Sequence, residues 1–289
     1  MSIKVQSQTQ ILMPRPASSP PPRTSSIFTS AEAPRDAVDI KPLARAEAKR
    51  PAIASGRPEP GPYPTAKWTV LNYSAADNNL YAYIYDDVAS MEKFGSTGSV
   101  QLVTQLDHQG GEAYRFRIEQ DQAGTSHSDK VVDSPVLERL GPVNMSDPKT
   151  LSDFISWGMK NFPAERFMLV IADHGKGWEG LVQDETHQGW MSVPQLKEAL
   201  VQAEMETGRK LNVIGFDACQ MASVEVASQL KDHAQYMVAS QAPEGREGWP
   251  YQHILSQGPL SDLQRAHLFK SDVESRTAVE LVVNGAAEH

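Results

Sequence analysis

The sequence predicts an α/β protein with a mostly parallel sheet and helices on both faces, preceded by a disordered tail. Three observations carry this. From residue 66 onward, short apolar runs alternate with amphipathic helical stretches, the pattern that lays helices over both faces of a parallel sheet. Two of the runs, Arg166–Ala172 (RFMLVIA) and Leu211–Phe216 (LNVIGF), have apolar centres, as strands covered on both sides do. Proline and charge also divide the chain: residues 1–66 hold 12 of the 20 prolines and a net charge of +4, and residues 67–289 carry a net −13.

Residues 1–65 read as a disordered, Pro-rich, weakly basic tail. Phe28 and Tyr63 are its only large aromatics, and stretches such as Ala17–Pro22 bury too little apolar surface to offset chain entropy. Residues 66–289 suit a single domain. One cysteine among 289 residues excludes an intrachain disulfide. The apolar runs are too short to span a membrane, and Met1–Gln10 lacks the apolar centre of a secretory signal. These features fit the cytoplasm, or export by a route that needs no ordinary signal peptide. The acidic balance argues against a nucleic-acid surface and favours the approach of basic substrates.

Trp68–Tyr73 and Val100–Leu106 are short, apolar and rich in strand formers. Ala113–Glu119 alternates, with Tyr114, Phe116 and Ile118 on one side and Arg115, Arg117 and Glu119 on the other, which predicts a half-exposed hairpin strand. Asp147 followed by Pro148 marks a helix start, and Leu151, Phe154, Ile155 and Met159 form its apolar stripe. After the Arg166–Ala172 strand, Ser192-Val-Pro-Gln195 opens a helix with a capping box that ends at Gly208. Leu211–Phe216 is a strand, Met221–Leu230 a helix and Gln235–Ser240 a strand. Weaker helical patterns follow near 261–270 and 272–283.

Two buried strands run out into chemically capable residues. Arg166–Ala172 leads into Asp173-His174-Gly175-Lys176-Gly177-Trp178, and Leu211–Phe216 into Asp217-Ala218-Cys219-Gln220-Met221. In open parallel sheets ligands bind beyond the carboxyl ends of the strands. If the two strands are parallel neighbours, about 4.8 Å apart, His174 and Cys219 project from one sheet edge. A Cys–His pair suits nucleophilic catalysis, because a nearby imidazole and a helix N-terminus both favour the thiolate. Gly175 and Cys219 offer backbone N–H groups for an oxyanion hole. Asp173, His174 and Cys219 are a weak alternative as metal ligands, since no paired Cys/His spacing accompanies them.

These two strings resemble the catalytic motifs of the clostripain family of cysteine peptidases. Tyr73-Ser74-Ala75-Ala76-Asp77-Asn78-Asn79-Leu80 resembles that family's first strand and its exit, and Gly248-Trp249-Pro250-Tyr251 a later core segment. The resemblance covers roughly 67–255 and implies a caspase-like α/β/α sandwich, with His174 as catalytic histidine, Cys219 as nucleophile and cleavage after Arg or Lys. It assigns the pocket carboxylate to Asp217, whose charge suits a guanidinium or ammonium. Ser240, Gln241 and Glu244 are candidates for the pocket wall, Glu244 as a second negative charge. Asp77, Asn78 and Asn79 read as a helix cap or as lining of the site, and Trp178 as a packing anchor. No cofactor is expected. Calcium dependence is implied by family analogy alone, and no acidic loop has a calcium-ligand pattern. Expected partners are proteins or peptides with Arg or Lys before the cleaved bond, and the chain's own basic tail as an occupant of the pocket. The competing readings are an inactive binding module on the same fold and a cysteine hydrolase acting on a non-peptide amide.

Overall fold

The computed structural model describes residues 2–3, 62–110, 112–121 and 132–256. The helical patterns near 261–270 and 272–283, and the tail apart from residues 2–3 and 62–65, lie outside these residues. The described elements are β1 (Ser2–Ile3), β2 (Ala66–Ser74), α1 (Tyr81–Met91), β3 (Val100–Asp107), β4 (Glu112–Arg117), β5 (Val136–Pro142), α2 (Pro148–Asn161), β6 (Ala164–Ala172), β7 (Leu181–Asp184), β8 (Gly189–Met191), α3 (Val193–Thr207), β9 (Leu211–Asp217), α4 (Val224–Leu230), β10 (Ala234–Val238) and α5 (Tyr251–Ser256). Among the described residues, eight strands form one sheet in the order β1-β10-β9-β6-β2-β3-β4-β5, and β7 and β8 form a separate hairpin. The run from β1 to β3 is parallel. β4 and β5 return antiparallel.

Alternation along the central strands feeds two cores. Phe167, Leu169 and Ile171 of β6 join the apolar stripes of α2, α3 and α4 on one face. Met168 and Val170 join Ile84, Tyr85 and Val88 of α1, together with Trp249 and Tyr251, on the other. The layered α/β/α architecture follows. Helix starts obey their sequence signals: Asp147 accepts from the Lys149 amide, and Ser192 and Gln195 form the reciprocal capping box. Gly208 ends α3 with a left-handed φ of 67°.

Three local readings change. β4 is buried on both sides rather than half exposed: Arg115 is covered, its guanidinium 4.7 Å from the Trp157 ring centre and 2.9 Å from Glu138. The helix expected from Met221 starts only at Val224, capped by Ser223. The chain is already packed at Tyr63, whose amide donates to the Asn161 carbonyl and whose ring stacks on Phe162.

Candidate active site

β6 and β9 are adjacent and parallel, with Ala172 opposite Asp217. His174 and Cys219 therefore leave the sheet at matching levels, each two residues beyond a paired position. The Asp173 amide donates to the Asp217 carbonyl at 3.2 Å, extending the ladder past the strands. A Cβ on Gly175 would overlap the Cys219 carbonyl oxygen and press on Met221. The loop carrying His174 thus lies directly against the Cys219 backbone, at a spacing only glycine permits.

The His174 loop is braced from below. Asp173 is buried and accepts from the Asn78 side chain (2.7 Å) and the Gln183 amide (2.6 Å). Its carboxyl is pushed well up, chiefly by burial. Because these partners hold it, Asp173 does not gather with His174 and Cys219 into a metal ligand set among the described residues. His174 Nε2 lies 2.7 Å from Asn79 Oδ1. An amide oxygen only accepts, so Nε2 carries the proton and Nδ1 is the basic nitrogen. Burial, aided by the nearby Lys176 charge, lowers the His174 pKa. Lys176 itself sits 3.3 Å over the Trp190 ring. Trp178 is 64% exposed, so it is not the packing anchor the sequence implied.

Cys219 is half-buried and free. Its Sγ accepts the Glu244 amide at 3.3 Å. The helix N-terminus expected beside it is absent, because residues 220–223 intervene. The Gln220 and Ala222 amides are used by the Ala242 and Ser240 carbonyls. Ser240 therefore contributes its backbone carbonyl, its hydroxyl being bonded to Ala242, and Gln241 is exposed. Among the described residues, the amides of Gly175 and Cys219 have no backbone acceptor, which leaves both available as oxyanion donors. Two non-glycine residues beside the site hold left-handed backbone, Gln220 at φ 62° and the buried Val182 at φ 56°. The Val182 amide donates to the His174 carbonyl. For a β-branched residue this is local strain, held in place by its surroundings.

Beneath Cys219 lies a group of acids. Asp217 is 6% exposed. It accepts the Tyr251 hydroxyl at 2.9 Å and the Trp249 amide. Glu244 lies beside it, and burial together with the Asp217 charge pushes the Glu244 carboxyl up to about 8. Asp217 is pushed up to about 6, mainly by burial. Asp217 already has two donors, and Glu244 is raised further by the Asp217 charge beside it. Asp87 of α1 joins them. A Cβ on Gly248 would sit 2.8 Å from Asp87 Oδ2 and 3.0 Å from Asp217 Oδ2. Burial and the neighbouring Asp217 charge push Asp87 up to about 9. Trp249 closes this group, its indole lodged over Gly215 of β9.

The sequence profile of the clostripain family matches residues 72–273. The chain belongs to the clostripain family. It is 22% identical over 223 residues to clostripain of Hathewaya histolytica, covering 65% of this chain and 41% of that protein. The fold is similar to a secreted C11 cysteine protease from Bacteroides thetaiotaomicron solved with an irreversible peptide inhibitor, with a TM-score of 0.61 and 26% identity over 77% of this chain and 59% of that one. It also resembles an inactive zymogen C11 protease from Parabacteroides distasonis, with a TM-score of 0.56 and 24% identity, covering 76% and 58%. The chain thus spans about two fifths to three fifths of these relatives' lengths. Sequence reading missed Asp87 as a candidate site residue and left Asn79 between a helix cap and lining of the site, where it meets His174. Asn79 carried a signal, directly after Asp77-Asn78 at a strand exit. Asp87 carried none beyond a polar position on an otherwise amphipathic helix.

Proposed function

We propose that this member of the clostripain family is a cysteine endopeptidase that cuts after Arg or Lys through Cys219 and His174. The observation that carries the reading is the seating of Gly175 against the Cys219 backbone, which brings the histidine and cysteine loops of β6 and β9 together. The Cys219 thiol gives its proton to His174 Nδ1, Sγ attacks the substrate carbonyl carbon as thiolate, and the amides of Gly175 and Cys219 donate to the oxyanion. As the C–N bond breaks, His174 gives a proton from Nδ1 to the departing amine and leaves a thioester. Water then attacks the thioester, His174 Nδ1 receives its proton, and the acid departs as the thiolate is restored. Asn79 keeps the Nε2 proton in place throughout and so fixes which nitrogen does this work.

The basic-residue preference rests on Asp217, with Glu244 and Asp87 beside it. A cationic side chain arriving there replaces the proton that these acids hold, so binding releases a proton. A peptide ending in Arg before a reporter group tests the reading. Cys219→Ala loses all hydrolysis, and hydrolysis that survived this change would overturn it. Asp217→Ala loses the Arg/Lys preference. An unchanged preference would move the pocket charge to Glu244 and Asp87.

A further inference from the structure

Lys176 is an exposed cation at the rim of the site, and its position is fixed twice. Its amide donates to the Gly180 carbonyl at 2.8 Å, and its Nζ rests 3.3 Å over the Trp190 ring. That ring lies 6.3 Å from the His174 ring, centre to centre. Among the described residues no carboxylate pairs with Lys176, although the stretch 67–289 carries a net −13.

The sheet order shows on which side of His174 this cation stands. β9, which leads to Cys219, borders β6 on one side, and β2 borders it on the other. His174 turns its Nε2 to Asn79 at the β2 exit. The β7–β8 hairpin is tied to that same exit: the Gln183 carbonyl receives the Asn78 side chain, and the Glu185 amide donates to the Asp77 carbonyl. Trp190 pairs with Gln183 across the hairpin. Sulfur, imidazole and the indole with its ammonium therefore follow one another in that order along the sheet edge.

We propose that Lys176, held on Trp190, determines which side chain is accepted directly after the cleaved bond, and that it selects Asp or Glu there. The inference rests on the proposed peptidase reading. In that reaction the acyl carbon joins Cys219 and the departing amine takes its proton from His174, so the residue after the cut passes on the far side of the imidazole from the sulfur. There it meets Lys176. A lysine ammonium is a point charge with three donors, and the ring face leaves N–H groups free for a carboxylate. A side chain already docked on an aromatic ring gives up less freedom when it binds. Lys or Arg after the cut meets like charge instead. The site then reads charge twice: acids beneath Cys219 for the residue before the cut, an ammonium for the residue after it.

The test uses the full chain and internally quenched peptides with Arg before the cut and Glu, Gln or Lys after it, because a reporter attached directly to Arg has no following residue. kcat/KM falls in the order Glu, Gln, Lys, with Glu about fivefold above Gln at low salt, and the ratio shrinks as salt rises. Lys176→Met abolishes the Glu-over-Gln ratio, and Lys176→Glu puts Lys above Glu. Trp190→Leu lowers the ratio, because nothing then holds the ammonium in place. Ratios taken within one enzyme cancel the effect of the lost charge on His174, which acts on every peptide alike. If Lys176→Met does not melt cooperatively, Lys176→Gln takes its place with the same expectation. Equal rates on the Glu and Gln peptides in the parent chain, or a Glu preference that persists in the folded Lys176 variant, overturn the subsite, and Cys219-dependent cutting of these peptides leaves the peptidase reading standing. Absence of Cys219-dependent cutting of all three peptides overturns that reading and the subsite with it.

Discussion

Asn79 holds the imidazole of His174 by a single hydrogen bond from Nε2, so its removal affects proton transfer more than substrate binding. Asn79→Ala should lower kcat about 10- to 100-fold on an Arg peptide with KM little changed, and Asn79→Gln should recover part of the loss. A pH profile that changes shape in Asn79→Ala separates this positioning role from a general weakening of the fold. The acids beneath Cys219 give a second expectation. Burial raises Asp217 to about 6, Glu244 to about 8 and Asp87 to about 9. A cation prefers them ionised, so affinity for an Arg-containing inhibitor should strengthen from about pH 6 to about pH 9. The ligand-free fold behaves in the opposite way. These carboxyls bind protons more tightly when folded, so the stability they contribute is present below their unfolded values and is lost as pH rises through their folded ones. Glu244→Gln should flatten both profiles, which inhibition constants and melting curves across that range measure.

At the scale of elements, β4 illustrates what periodicity reveals and where it stops. The alternation of Tyr114, Phe116 and Ile118 marks the strand and one covered face, and all three are buried. The opposite face carries arginines, which reads as solvent-facing. In the fold Arg115 stacks under Trp157 and pairs with Gln105 and Glu138. Burial lowers its pKa, with Glu138 opposing. Arg115→Ala should destabilise the chain by about 3 kcal/mol, since it strands the buried Gln105 and empties the space under Trp157. Arg115→Met should lose less, because the stem still packs against the aromatic rings; denaturant midpoints compare the two. The strands bearing His174 and Cys219 were legible because each couples an apolar run to a polar exit. The β7–β8 hairpin was not: Leu181–Asp184 and Gly189–Met191 are only four and three residues long, and one of them contains a left-handed valine. The start of α4 was misplaced because Gln220–Ser223 satisfies its amides with the 240–242 segment and Met221 rather than in a helical turn.

For the whole molecule, charge asymmetry is the property visible first in sequence. A tail of net +4 precedes a stretch of net −13, and the proposed pocket is built for a cation. If the tail competes for that pocket, a chain starting at Pro62, which keeps the Tyr63–Phe162 stack, should show a lower KM for Arg peptides than the full chain. The difference should shrink as salt rises, because attraction between exposed charges is screened; equal KM values at low salt would reject the competition. Among the described residues no helix is long and apolar enough to cross a membrane.

Trp249 touches several of these parts at once. Its ring lies over Gly215, its amide serves Asp217 and its side chain bonds to Glu244. An indole whose immediate surroundings gain or lose a full charge changes its emission. The molecule therefore carries a native fluorophore at the floor of the proposed specificity pocket. Filling of that pocket can be followed optically in unlabelled protein, with Trp249→Phe as the reference that subtracts the other four tryptophans.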